Sequence, residues 1–487
     1  MNNPERTDQP MAPQARAAIA EANLTHALDH IKVGSAHLWI LGLVAFGALL
    51  DAMTQANIGL VGPRLAENWG ITPLQLGLLS TFTFFGMAIG SVIAGYTNDK
   101  YGRKFTYTYN LLLFTAGSLV AGFSGNIEIL LAARFICGIG LGGELSTALT
   151  LVSEVMPTKI RGAALGTVNI AAGGLGLLIA PAVVTLMLGP LEGFFGGPQT
   201  SWRWVLGIMA IPAVAIFIYR IFLPESPRFL LAQGRVDDAN AVLTRLSLNR
   251  LRKPKNMVVQ TFITVPGGQE LPKEKVNLTD ILRGGLRRRT LIVWTTIAMT
   301  FGAQLTILVF MPTVLVSRGY DVQSSLLYTT IINLGGLVGA IVASIFGYKV
   351  KRKIVLGYGA IVAIFVALAF GFSTSFATIL IFGGLLQIMF ILLNTTAWMW
   401  APELYPTKVR GFGTGCAVTV GFLSASIFPL IAGWLFEIGG VLPMFAMIAV
   451  MYIVMAAVVR FGPETHGVSL ENVSGEQLLR MHEEVTN

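Results

Sequence analysis

Twelve mostly apolar stretches divide the chain, centred near Asp51, Phe85, Leu113, Leu141, Gly174, Pro212, Gln304, Gly336, Ala363, Leu392, Val420 and Met451. Each is about as long as the ~20 residues a helix needs to cross a hydrocarbon layer. Short polar segments separate them, with one long exception from 224 to 289. The pattern predicts an all-α membrane protein with twelve transmembrane helices. Residues 1–36 read as a polar N-tail with few structural signals, 37–223 as a first six-helix bundle, 224–289 as a linker with short helices, 290–461 as a second bundle and 462–487 as a C-tail. Within the linker, Ser226-Pro227 reads as a helix cap followed by the first helical residue. LLAQGRVDDANAVLTRL gives short amphipathic helices broken at Gly234, and 251–276 has no apolar period.

The two bundles are copies. Glu154, Pro157, Thr158, Lys159, Arg161 and Gly162 recur as Glu403, Pro406, Thr407, Lys408, Arg410 and Gly411, an offset of 249 residues. Arg103-Lys104 falls on Arg352-Lys353, and Pro63 on Pro312, at the same offset. A repeat this long is a duplicated half and not a solenoid unit, so the bundles are expected to be pseudo-symmetric.

Composition agrees with a lipid environment, since 54% of residues are hydrophobic and 12% are charged. The net charge of +9 is a topology signal: without the long linker, segments on the N-tail side hold 16 Lys and Arg, against Arg64, Arg203 and Arg318 on the other. By the positive-inside rule both termini are expected on the cytoplasmic side. The basic residues are spread over seven segments, which excludes a nucleic-acid partner. The first apolar run is too long for a cleaved signal peptide. Cys137 and Cys416 fall in different halves and offer neither a disulfide framework nor metal-ligand spacing. No cofactor is expected, and no nucleophile or metal constellation marks an enzyme.

Three ionisable residues fall deep inside spans. Asp51 lies mid-way along the first span. Glu144 lies mid-way along the fourth, and Arg134 about 15 Å nearer its outer end at 1.5 Å per residue. Ionisable groups at such depth mark functional positions, and two carboxyl groups at one level suit a proton relay. Arg134 reads either as an anion contact or as an interhelical ion pair. Gly138, Gly140 and Gly143 satisfy G-x-G-x-x-G, but no strand precedes them and the run spans the membrane, so they read as helix packing and not as a dinucleotide site.

The loop after the second span, with Gly95, Asp99, Gly102, Arg103 and Lys104, resembles the GxxxDxxGRK signature of the major facilitator superfamily. Twelve spans in two similar halves fit that fold over nearly the whole chain. The resemblance implies that the loop is a cytoplasmic latch, with Gly95 permitting close helix approach. The second copy is worn, with Ser344 for the glycine and Tyr348 for the aspartate. It also implies gating by Glu154, Arg161, Glu403 and Arg410, whose acids and arginines can pair between helical hairpins. PESPRF after the sixth span and the Pro463-Glu464-Thr465-His466-Gly467 tail are similar to the metabolite:proton symporter branch, near sugar porters, aromatic-acid symporters and niacin transporters. Asp51-Ala52-Met53-Thr54 keeps only the first acid of the aromatic-acid pattern. The sugar porters' coupling aspartate would align with Thr54, and its arginine partner with Arg134.

In such proteins the first, fourth, seventh and tenth spans line the cavity. That assigns proton coupling to Asp51 and Glu144, and substrate contact to Arg134, Gln304, Asn394 and Trp398, with Asn169 and Asn333 from neighbouring spans. Trp398 and Trp400 also suit an interfacial aromatic belt. The expected function is proton-coupled uptake of a small polar organic metabolite by alternating access, with the substrate, protons and the lipid bilayer as partners. An efflux antiporter and an uncoupled facilitator are the alternatives. A membrane sensor would need an ordered signalling domain that the irregular linker does not offer.

Overall fold

The computed structural model describes residues 13–210, 222–252, 257–264 and 278–464, and every regular element among them is helical. Helix α1 (Pro13–His30) precedes the spans. The first half runs through α2 (Ser35–Trp69), α3 (Pro73–Tyr101), α4 (Arg103–Gly122) and α5 (Ile127–Val155). Its fifth span joins α6 (Thr158–Asn169), a π-helical turn over Ile170–Gly176 and α7 (Leu177–Met187). The sixth is entered at α8 (Ser201–Gly207), and its expected centre at Pro212 lies outside the described residues. The linker contributes α9 (Pro227–Ala232), α10 (Val236–Ser247) and α11 (Leu278–Ile281). The second half consists of α12 (Gly284–Ser317), α13 (Val322–Lys349), α14 (Arg352–Phe372), α15 (Phe376–Glu403), α16 (Thr407–Gly439) and α17 (Val441–Val459).

Among the described residues, 10 helices are long and apolar enough to cross a bilayer. The third span, α4, is diluted by Thr106, Tyr107, Tyr109 and Asn110, and the sixth is described only in part. Together they make up the twelve helices of the fold. The duplication reaches individual helix starts: Ser35, Pro73, Arg103, Ile127 and Thr158 stand at the same offset from Gly284, Val322, Arg352, Phe376 and Thr407.

Helices are the natural solution in lipid because each satisfies its own backbone polar groups. The ends are closed by local chemistry. Thr72 and Gln75 form a capping box on α3, and Asn126, Asp321 and Ser375 cap α5, α13 and α15. Each such cap contributes about 1 kcal/mol. Ser226 caps α9 as its sequence predicts, accepting from Phe229 N at 3.3 Å. The glycine run of α5 packs backbone to backbone, with Gly138 on the Thr83 carbonyl, Gly140 on Asn110 and Phe114, and Gly143 on the Asn110 side chain.

The two halves meet along α3 with α16, α7 with α13, and α2 with α12. One end of this interface is shut. A methyl group on Gly59 would fall 2.5 Å from the Leu308 carbonyl, and one on Gly433 2.5 Å from the Pro73 carbonyl. At the end carrying α1 and the linker, Gly95, Gly411 and Gly415 have no neighbouring helix within 4 Å of such a methyl among the described residues. The molecule is closed on the far side and open on the linker side.

Several expectations are corrected. The tail before the first span is not structureless. Ala20, Leu24, Ala27 and Leu28 form one apolar stripe on α1, all buried, and α1 docks on α6 and α9. The linker is partly ordered too. Residues 257–264 run extended along α10, where the buried Asn240 accepts from Phe262 N and Ile263 N, both at 2.9 Å, and donates to the Ile263 carbonyl at 3.0 Å. Trp400 is no belt residue: it is 1% exposed and packs against Gly462. Gly95 meets no neighbour in this state, whereas Gly102 is the loop glycine with a steric task. Its φ of 92° favours glycine, and a Cβ there would collide with the Glu225 carboxylate.

Candidate functional site

Asp51 on α2 and Glu144 on α5 stand side by side near the middle of their spans, 2% and 1% exposed. Tyr107 of α4, which sequence reasoning missed, donates its hydroxyl to Glu144 Oε1 at 2.9 Å. Its signal was weak, being one of two tyrosines in the third span. Neither Asp51 oxygen, nor Glu144 Oε2, has a hydrogen-bond donor among the described residues. Two carboxylates cannot both keep their charge at such range without a cation, and no salt-bridging cation stands beside them among the described residues.

Arg134, on the same helix as Glu144, does not reach the carboxyls. It is 2% exposed and donates from Nε to Thr83 Oγ1 at 3.1 Å and from Nη2 to the Thr54 carbonyl at 3.3 Å. The ion-pair reading made from its sequence is corrected. The guanidinium is buried among α2, α3 and α5, and its partners are the Thr83 hydroxyl, the Thr54 carbonyl and the Cys137 Sγ at 4.0 Å, with no ion pair among the described residues. Thr54, standing where an aspartate was expected to pair with it, meets it through its backbone.

The remaining polar positions divide. Gln304 of α12 and Asn394 of α15 join the seventh and tenth spans by a bond from Asn394 Nδ2 to Gln304 Oε1, and the Asn394 Oδ1 is left unpaired. Trp398 stands edge-on to Phe301 with ring centres 6.1 Å apart. Asn333 donates to the Leu177 carbonyl of the other half at 2.9 Å. It also lines, with Ala56, Leu60, Ile307, Thr329 and Gln387, a small cavity between the halves. Gln387 was not anticipated. Asn169 is exposed where α6 passes into the π-helical turn, apart from this group.

The linker-side charges are paired otherwise than their spacing implied. Glu154 binds Arg103, not Arg161, through Nη2–Oε1 at 2.8 Å and Nε–Oε2 at 2.9 Å. In the second half Glu403 binds Arg352 at 3.2 Å, while the Arg410 Nε donates to the Tyr405 carbonyl at 3.3 Å. Arg161 reaches the Met156 carbonyl and Thr158 Oγ1, both at 3.5 Å. Asp99 is largely exposed and touches Arg103 Nη1 at 3.7 Å. Lys104 and Arg103 present their backbone N–H groups to Glu225, at 3.3 and 2.8 Å. Glu225 thereby caps α4. Burial pushes its carboxyl above the usual range, and the N–H groups of Ser226, Arg103 and Lys104 pull it part of the way back. The side chains at 344 and 348, and residues 465–467 of the tail, lie outside the described residues.

A sealed far end, an open linker-side end and a mid-depth polar site between two duplicated bundles define a transporter of the major facilitator type. A family model described as "Sugar (and other) transporter" matches residues 34–476. The chain belongs to that family of membrane transporters. It is 29% identical over 456 residues to the niacin transporter NiaP of Acinetobacter baylyi, covering 93% of this chain and 99% of that one. It is 27% identical to the 4-hydroxybenzoate transporter PcaK of the same organism, over 63% of this chain and 65% of that one. The inward-open xylose transporter XylE from E. coli superposes with a TM-score of 0.70 at 18% identity, covering 90% of this chain and 99% of that one.

Proposed function

We propose that this chain is a proton-coupled symporter that takes up a small polar organic metabolite by alternating access. The observation that carries the reading is the buried Asp51–Glu144 pair, held with Tyr107 inside the first half, two carboxyl groups that need a proton between them where no cation is paired with them among the described residues. A carboxyl pair protonated in one state and ionised in another carries the driving ion. The relatives' names, a niacin transporter, a 4-hydroxybenzoate transporter and a D-xylose-proton symporter, support a small organic acid or a sugar-like compound as the substrate. The amide groups of Gln304, Asn333 and Asn394, with Trp398, suit either through hydrogen bonding and stacking.

The open linker side is read as cytoplasmic, from the excess of Lys and Arg there. Both tails then lie inside a bacterial inner membrane, with 37–223 and 290–461 as the moving bundles. The ion pairs Arg103–Glu154 and Arg352–Glu403 lie within single halves and act as braces that keep each bundle rigid as it rocks. Asp99, Lys104, Arg161 and Arg410 sit around them as the linker-side gate.

The test is uptake by proteoliposomes of nicotinate, 4-hydroxybenzoate and xylose, with and without an imposed proton gradient. Once a substrate is found, Asp51→Asn and Glu144→Gln should each abolish gradient-driven accumulation, while exchange of labelled for unlabelled substrate survives in at least one of them. Normal accumulation in both variants would remove these residues from the coupling step.

A further inference from the structure

On the far side, α16 of the second half lies antiparallel against α3 of the first along a seam of small residues. Gly433 faces the Pro73 carbonyl, Gly77 faces the Pro429 carbonyl, and Thr81 Oγ1 donates to the Ser426 carbonyl at 2.6 Å. Nearer mid-depth, Ser91 and Thr419 touch at 3.2 Å, and beyond them the helices part. At the outer end of the seam stands Glu437, one helical turn past Gly433 and therefore on the same face. Its Oε1 accepts from Leu74 N at 2.9 Å.

Leu74 is in the first turn of α3, where backbone N–H groups lack helical partners and the helix dipole is positive. Thr72 already serves Gln75 N. Glu437 serves the next free donor, and it does so from the other bundle. The related contact of the second half is built differently: α13 is capped by its own Asp321, which accepts from Ser324 N at 2.7 Å. Among the described hydrogen bonds, a carboxylate reaches a helix end of the other bundle at the α3–α16 seam.

We infer that Glu437 is the far-side latch of the transport cycle, a positioning residue that holds the far side shut by capping a helix of the opposite bundle. When the halves rock to open that side, α16 leaves α3 and the Leu74 N–H passes to water. The contact is therefore made in the far-side-closed state and lost in the other, and only such a contact shifts the balance between the two. The inference rests on the alternating-access reading above. It requires neither a known substrate nor proton coupling.

The experiment uses the full chain with Cys137 and Cys416 replaced by serine and a reporter Thr313→Cys, whose native hydroxyl is buried beside Gly62 of the first half. Labelling by a membrane-impermeant maleimide from the far side is timed without substrate or gradient. Glu437→Ala and Glu437→Lys should raise the labelling rate about fivefold, the scale of one capping contact. Glu437→Gln, which keeps an acceptor oxygen, should stay within about twofold of the parent. Unchanged labelling in monodisperse Glu437→Ala and Glu437→Lys protein would overturn the latch. So would an equal rise in Ile438→Ala, which alters the neighbouring exposed residue and leaves the cap intact. Normal accumulation in Asp51→Asn and Glu144→Gln would overturn the coupling assignment and leave this readout untouched, so the two proposals fail separately.

Discussion

Arg103 and Glu154, 51 residues apart on neighbouring hairpins, meet through two contacts of 2.8 and 2.9 Å, and the same pair recurs as Arg352 and Glu403 in the second half. A planar guanidinium gripping a carboxylate at two points is geometrically specific and is not reproduced by lysine. The duplication shows that the brace belongs to each bundle and not to the seam between them.

Removing one member of that brace leaves a mostly buried charge behind. Arg103→Ala should lower the transport rate by about fivefold or more, since an unpaired partly buried charge costs about 1–3 kcal/mol. Arg103→Lys should recover little. Asp99→Ala should cost less than about threefold, because its carboxylate is largely exposed and solvent-screened. Transport rate with substrate affinity measured in parallel is the check, and affinity should hold in all three variants.

Arg134 is expected to matter for folding and not for substrate affinity. Arg134→Met would remove the hydrogen bonds to Thr83 Oγ1 and the Thr54 carbonyl, at about 1 kcal/mol each. The thermal midpoint in detergent should fall by several degrees, while the substrate Kd of the surviving protein stays within about twofold. A large loss of affinity at unchanged stability would return Arg134 to the substrate path.

Gln304 and Asn394 carry the opposite expectation. Their amides meet across the seventh and tenth spans, and the Asn394 Oδ1 is buried without a partner. Asn394→Ala should weaken substrate binding by about tenfold, one lost hydrogen bond to a polar ligand, with little change in the amount of folded protein. Direct binding by scintillation proximity would show it.

Docking of α1 should depend on pH through Asp29. Its Oδ1 accepts from Thr158 N at 2.6 Å, and that bond holds the carboxyl below its ordinary value of 3.8, with Arg161 adding to the effect. A carboxyl lowered in the docked state stabilises docking above its ordinary value, and the contribution is lost as pH falls through the lowered one. Amide protection of α1 should therefore drop on acidification below about 4. Asp29→Asn should remove the part of that drop that Asp29 causes.

Much of this molecule is legible along the chain. Lipid imposes about 20 apolar residues per span and tolerates ionisable groups at mid-depth only for cause, so the spans, the duplication and the depth of Asp51 and Glu144 are written locally. The α9 cap is equally local, since Ser226 and Phe229 are three residues apart. Even α1 was present as a stripe at Ala20, Leu24, Ala27 and Leu28, overlooked because its polar face dominates the composition.

What only the tertiary structure decided is partnership. Glu154 lies seven residues from Arg161 and 51 from Arg103, yet α5 and α6 diverge at their turn while α4 returns beside α5, so the distant arginine is the neighbour. Arg134 has the same residue type whether it faces a cavity or a helix seam, and the rotation of α5 against α2 and α3 selects the seam. Which end of the molecule is shut is also absent from the chain, because the same glycines serve a closed interface and an open one. Hydrophobic length and charge placement are properties of each segment, whereas side-chain pairing and gate position arise from how twelve nearly interchangeable helices pack on one another.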